Sequence, residues 1–227
     1  VALAKSGCAP GLDRVWWSSM KRVYRECETW SERAIATLTE PGPYQADIVV
    51  MTTRANYQVK RGGDVLGPVE SRKAVQRALV TTYRQLTSSG ARVVAMSTAP
   101  ESPVDVPECL AEGAHDSCAF DAAERMPPVP LEQLAAERVF GVLHLDLGEL
   151  VCPDGRCDAV RDGVVVYRDT NHLTETFVES MTGRMEEALV DLGALPPLDD
   201  PGAREARKAS GDQPRGKQAR SEQATGR

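Results

Sequence analysis

Three short apolar runs constrain the fold of this chain more than any other feature. They are Ala46-Asp47-Ile48-Val49-Val50-Met51-Thr52, Ala91-Arg92-Val93-Val94-Ala95-Met96-Ser97 and Val142-Leu143-His144-Leu145-Asp146-Leu147. Such runs, with no regular polar alternation, read as strands of a parallel sheet covered on both faces. Val1-Ala2-Leu3-Ala4 reads as the remains of a fourth. Helical patterns lie between them. Residues 28–38 carry Trp30, Ala34, Ile35 and Leu38 on one face, and residues 69–86 repeat Val75, Ala78, Leu79 and Leu86 at three- and four-residue steps. A last helix over 173–189 places Leu173, Phe177, Met181, Met185 and Leu189 four residues apart. Strands alternating with helices predict a doubly wound α/β sheet. Val164-Val165-Val166-Tyr167, after Asp162-Gly163, reads as an extended segment running into the turn before the last helix.

Composition sets the outer limits. With 27 basic and 33 acidic residues the net charge is −6, which argues against nucleic acid as a partner. No apolar run reaches the roughly 18 residues of a membrane span, so none is expected in this chain. Val1–Ala4 runs straight into Lys5, with no basic region before it, which is not the pattern of a signal peptide; the chain reads as a piece of something longer. An apolar share of 41% is low for a chain that packs throughout. The deficit falls on 196–227, rich in Gly, Pro, Ala, Ser, Gln and mixed charge, which reads as a disordered tail beyond a domain of residues 1–195. The Pro-, Ala- and acid-rich stretch 100–130 is long for a connection inside a compact domain, and such loops are usually functional or stapled.

Six cysteines fall into three pairs close in sequence: Cys8 and Cys27, Cys109 and Cys118, Cys152 and Cys157. Six allow 15 connectivities, of which nearest-neighbour pairing is the simplest. Zinc is the competing reading, against which stand the lack of any Cys-x-x-Cys and of a His at ligand spacing; free buried thiols are the third. Disulfides imply an oxidising compartment outside the cytoplasm. No metal or other cofactor is called for.

The chemistry concentrates in Tyr167-Arg168-Asp169-Thr170-Asn171-His172-Leu173-Thr174. Asp-x-x-His is a compact way to build the base end of a nucleophilic triad, the carboxylate fixing the tautomer of an imidazole whose other nitrogen faces the nucleophile. The alternative is an Asp that caps the helix, with a His that only hydrogen-bonds at its start. Position favours the first, because ligands of parallel sheets bind beyond the carboxyl ends of the strands. His144, inside an apolar run, reads as a core or sheet-edge histidine, and His115, in the 100–130 stretch, as solvated.

The order of these motifs resembles a family. Lys5-Ser6-Gly7-Cys8-Ala9-Pro10, Cys27-Glu28-Thr29-Trp30, Ala46 to Val50, Pro107-Glu108-Cys109, Cys118-Ala119-Phe120, Cys152-Pro153-Asp154-Gly155-Arg156-Cys157 and the Asp169–His172 block together look like an SGNH-type domain. The match is to the extracytoplasmic domain fused to the C-terminus of acyltransferase-3 membrane proteins of the O-antigen acetylase type, over about residues 1 to 192. The resemblance implies a flavodoxin-like three-layer α/β/α fold with its first strand missing from this chain. It implies O-acyl transfer to, or ester hydrolysis on, cell-surface glycans at the outer face of the membrane. The acyl donor would come from a membrane acyltransferase half. Asp169 and His172 map onto the catalytic Asp and His. The family's Gly-Asp-Ser does not occur here, so its nucleophile is expected upstream and the chain alone is expected to be inert. Gly7 is a candidate oxyanion glycine or a plain turn glycine. Asn56 and Arg54 could face the site in place of the family's Asn block, or be ordinary loop residues, and Ser6 is a stand-in serine to test. Two readings from other classes remain: a non-catalytic module that binds glycan or protein, with Trp16, Trp17, Trp30 and Tyr57 as stacking residues, and a flavodoxin-like cytoplasmic domain with six free thiols.

Overall fold

Arg92–Met96 is the central strand of the computed structural model, and its Val93, Val94 and Ala95 are fully buried. It pairs in parallel with Ile48–Met51 on one side, Val49 opposite Val93, and with Leu143–Leu145 on the other, Ala95 opposite His144. All three strands lie within the apolar runs that predict them. The structure describes residues 1–197 apart from Asp13, Ala55, Ala114 and Pro128 and the side chains of His115 and Asp116. The solvated reading of His115 and most of the 196–227 tail therefore lie outside the described residues.

Alternation along the central strand supplies both faces of the sheet. Val93 and Ala95 join Val75, Leu79, Tyr83, Leu131 and Ala135 in the larger core, while Val94 packs with Leu145, Met185 and Leu189 in a smaller one. Helices therefore cover both faces, giving the α/β/α layering. Each buried Val or Leu contributes about 1.5–3 kcal/mol. The long helix Pro68–Ser88 starts with proline in its first turn, where a missing N–H costs nothing, and buries Ala74, Val75, Ala78, Leu79 and Leu86. The helix Arg25–Thr39 buries Cys27 and Ser31, and the Ser31 hydroxyl accepts a 2.6 Å hydrogen bond from the Gly11 N–H.

Three disulfides form between sequence neighbours, Cys8–Cys27, Cys109–Cys118 and Cys152–Cys157. Zinc and free-thiol readings are thereby corrected. The first lies in the larger core. The other two help build a separate cluster with Val106, Phe120, Val151, Tyr167 and Phe177. Residues 100–130 are not structureless: a helix at Val106–Glu112 and a strand at Phe120–Asp121, paired with Arg156–Cys157, order the segment around its disulfide.

Two expectations need correction. Val1–Ala4 forms no strand and is exposed; a strand needs a neighbour to satisfy its backbone groups, and none of the described residues pairs with it. The last helix is two, Glu175–Ser180 and Thr182–Asp191, broken at Met181. Val164–Val165 is extended as expected, and it pairs with Val160–Arg161 in an antiparallel hairpin outside the main sheet. The chain divides into two units, Val1–Ala194 and Leu195–Arg227, and only 195–197 of the second are described.

Candidate active site

The Asp-x-x-His turn grows out of the Val164–Val165 hairpin and is closed by a bridge between Tyr167 and Leu173. Asp169 Oδ1 accepts from the backbone N–H of Asn171 at 2.8 Å and of His172 at 2.7 Å. Its other oxygen, Oδ2, lies 2.7 Å from His172 Nδ1. These two backbone bonds and the imidazole hold the Asp169 carboxyl at a pKa of about 2. The carboxylate therefore stays ionised at any physiological pH. Among the described residues the imidazole bonds to Asp169 alone, which leaves Nε2 free, and its side chain is 57% exposed.

The capping alternative fails on geometry. Thr174 is the N-cap of the following helix, its Oγ1 accepting from the Phe177 N–H at 3.2 Å. Asp169 caps only its own turn. The carboxylate is thus free of helix duty and aimed at the ring.

What seats this turn is a residue the sequence reading passed over. Tyr167 is fully buried, its ring 5.7 Å from that of Phe120, and its hydroxyl donates to the Pro100 carbonyl at 3.0 Å. Burial pushes its phenol well above the ordinary range. Alongside, the Ser102 N–H donates to the Thr170 carbonyl at 2.7 Å. Pro100 and Ser102 belong to the segment leaving the carboxyl end of the central strand, so the pair sits at the sheet end where ligands of such folds bind. The signal for Tyr167 was present as the aromatic closing an apolar run, but nothing in a single sequence shows where its hydroxyl points.

The loops from the other strands meet the same segment. Arg54, after the Ile48–Met51 strand, pairs with Glu101 at 2.7 Å. Ser97 donates to Asp146 Oδ1 at 2.7 Å, tying the central strand's end to that of Leu143–Leu145. Glu132, 4% exposed, lies near Thr53, and burial raises its pKa. Asn56 is exposed in the same loop as Arg54. Gly7 adopts φ +66 in the turn before Cys8, a conformation that glycine takes without strain. Ser6 is exposed there, and its carbonyl accepts from the Tyr24 hydroxyl. His144 lies on its strand with Nε2 buried and unpartnered, and burial lowers its pKa. The structure brings Asp169 and His172 together; no hydrogen bond joins Gly7, Ser6 or Asn56 to them among the described residues.

The described cysteines are all in disulfides, and among the described residues no group of three or more His, Cys, Asp or Glu could hold a metal. No described helix is long and apolar enough to cross a membrane.

Comparison with known proteins now adds to this geometry. No curated protein matches the chain. Among solved structures it is similar to the periplasmic domain of a lipopolysaccharide acetyltransferase from Salmonella ser. Paratyphi A, with TM-score 0.49 and 15% identity over 80% of this chain and 69% of that one. Residues 1–187 match the family described as "SGNH domain (fused to AT3 domains)". That match covers most of the 227 residues, and the chain belongs to the SGNH domain family of AT3 fusions.

Proposed function

We propose that this chain is the base-bearing part of an extracytoplasmic acyl-transfer domain that moves an acyl group, in the first instance acetyl, onto cell-surface glycans. The observation that carries the proposal is the 2.7 Å contact of Asp169 Oδ2 with His172 Nδ1, with Oδ1 held by two backbone N–H groups. Membership of a family fused to AT3 domains supports a membrane acyltransferase half as the source of the acyl donor. Three disulfides support an oxidising compartment.

In this reading His172 Nε2 takes the proton of a serine hydroxyl as its oxygen attacks the acyl carbonyl. Asp169 stabilises the imidazolium without taking its proton. The tetrahedral intermediate collapses to an acyl-serine, and His172 returns the proton to the leaving group. A sugar hydroxyl, or water, then attacks the ester with His172 again as base, and the serine regains its proton. This reading takes the serine from outside this sequence, because no Gly-Asp-Ser occurs in it. Among the described residues the Ile48–Met51 strand has a neighbour on one side only, and Val50 on it is 44% exposed, which leaves an edge where a further strand can pair.

The test is His172→Ala in the native polypeptide, with acetyl on the envelope glycans read by proton NMR. Acetylation should vanish while the amount of protein in the membrane holds. Acetylation that survives the substitution refutes the assignment.

A further inference from the structure

We propose that the hairpin of residues 15–24 is a tip-first contact for an anionic lipid surface, independent of the Asp169–His172 chemistry. Residues 14–25 read Arg-Val-Trp-Trp-Ser-Ser-Met-Lys-Arg-Val-Tyr-Arg: four cations, three aromatics and no acid, in a chain whose net charge is −6. Trp16–Trp17 pairs with Arg22–Val23, and the turn between them carries Met20, 56% exposed. Trp17, beside it, is 38% exposed. Neither Met20 nor Trp17 belongs to any of the three buried clusters.

Both faces of the hairpin pair an aromatic ring with a cation. On one face the Arg22 guanidinium lies 5.3 Å from the Trp17 ring centre, Tyr24 packs 4.6 Å from the same ring, and the Lys5 ammonium lies 5.5 Å over Tyr24. Trp16 alternates to the other face, under Lys60 at 4.7 Å. The base is fixed by hydrogen bonds from the Trp16 N–H to the Gln58 carbonyl at 2.8 Å and from the Lys60 N–H to the Arg14 carbonyl at 2.9 Å. Glu26 offsets Arg22 at 2.8 Å, and Glu28 accepts from the Arg14 N–H.

Tryptophan and tyrosine collect at membrane interfaces, and cations beside them attract anionic headgroups. A sugar platform needs an open ring face. Here Arg22, Tyr24 and Lys60 already approach the rings, and the most exposed apolar residue of the tip, methionine, has none. The observations therefore favour lipid over glycan.

The experiment uses the full chain, sedimented with vesicles of phosphatidylglycerol and phosphatidylethanolamine or of phosphatidylcholine alone. Salt-sensitive binding to the first and not the second is expected. Lys21 and Arg25 are exposed and make no ion pair among the described residues, so Lys21→Gln with Arg25→Gln should leave the fold intact. Each cation removed should weaken binding about fivefold, about 25-fold for the pair. Met20→Ser keeps every charge and should weaken binding about tenfold through lost apolar burial. Circular dichroism and the absence of free thiols confirm folding. Equal affinity for both vesicles overturns the proposal. So does binding unchanged in both variants, which would move the contact elsewhere, such as to the cations of the tail. Binding to soluble polygalacturonate without binding to vesicles would reassign the hairpin to an anionic glycan.

Discussion

Tyr167→Phe tests whether one buried hydroxyl seats the Asp169–His172 turn. The substitution keeps the ring, and with it the contact to Phe120, and deletes a single O–H. Pro100 is buried, so its carbonyl loses the 3.0 Å donor with no solvent to replace it. An unsatisfied buried acceptor costs about 1–3 kcal/mol, partly offset because phenylalanine needs no partner, so about 1–2 kcal/mol net is expected. For a domain of this size that lowers the thermal midpoint by about 2–8 °C. The loss should be felt locally as well. The Ser102 N–H, bonded to Thr170 at 2.7 Å, and the His172 N–H, bonded to Asp169 at 2.7 Å, should exchange faster with solvent deuterium than amides of the Arg92–Met96 strand. Urea unfolding of the oxidised protein and amide exchange read the two effects separately. An unchanged urea midpoint with unchanged exchange at Ser102 and His172 would refute the anchoring role of the hydroxyl.

Asp169→Asn should lower acyl transfer in the native polypeptide about 10⁴-fold: the amide oxygen can still take the two backbone N–H bonds, but its NH₂ would face Nδ1 and favour the wrong tautomer. Wild-type glycan acetylation in this variant would sink the role given to Asp169. Replacing Cys8 and Cys27 together with Ala should cost about 3 kcal/mol in urea unfolding, and replacing Cys152 and Cys157 about 2 kcal/mol, because the second pair closes a shorter loop, 5 residues of separation against 19; the reverse ranking would refute the chain-entropy reasoning. Glu132 has a raised pKa in the folded state, so its contribution is full below the ordinary Glu value and is lost as pH rises through the folded one. Glu132→Gln should flatten that decline, and an unaltered pH–stability curve would show that Glu132 is not its source. Asp169 has the opposite sign: its depressed pKa gives a contribution present above the ordinary Asp value and lost as pH falls toward about 2, where the amide resonances of Asn171 and His172 should shift together.

The parts legible in the sequence were those governed by local pattern. Val93, Val94 and Ala95 read as a strand buried on both faces because three consecutive small apolar residues admit little else between turn signals. Cysteine spacing was enough to suggest the disulfides, since short loops close most readily. The Asp169–His172 pair was legible because both residues lie within one turn. Long-range seating was not. Nothing local to Tyr167 names Pro100, 67 residues away, and nothing near Arg54 names Glu101. The last helix was read as continuous because its apolar period runs through Met181, yet a side chain that suits the helical face does not oblige the backbone to continue: Met181 caps one helix and starts the next. Val1–Ala4 misled for a related reason, since strand character in sequence does not supply the neighbour that a strand must bond to.

The base pair is held by the disulfide-rich second core, while the open edge lies on the main sheet. Their registration therefore depends on the segment after Met96. There Ser97 binds Asp146, Glu101 binds Arg54, and Ser102 binds Thr170, so one short stretch links loops of all three parallel strands to the Asp169 turn. Arg54–Glu101 is an exposed pair, worth at most about 1 kcal/mol to stability, so Glu101→Gln should leave the unfolding midpoint nearly unchanged. A nucleophile paired to the Ile48–Met51 edge would nevertheless lose one of the ties that set its distance to His172. A small error in placing reacting atoms is costly to rate even where it costs little stability. Acetylation in the native polypeptide should thus fall about tenfold or more in Glu101→Gln with no loss of folded protein. Full acetylation in that variant would show that Arg54–Glu101 does not set the registration.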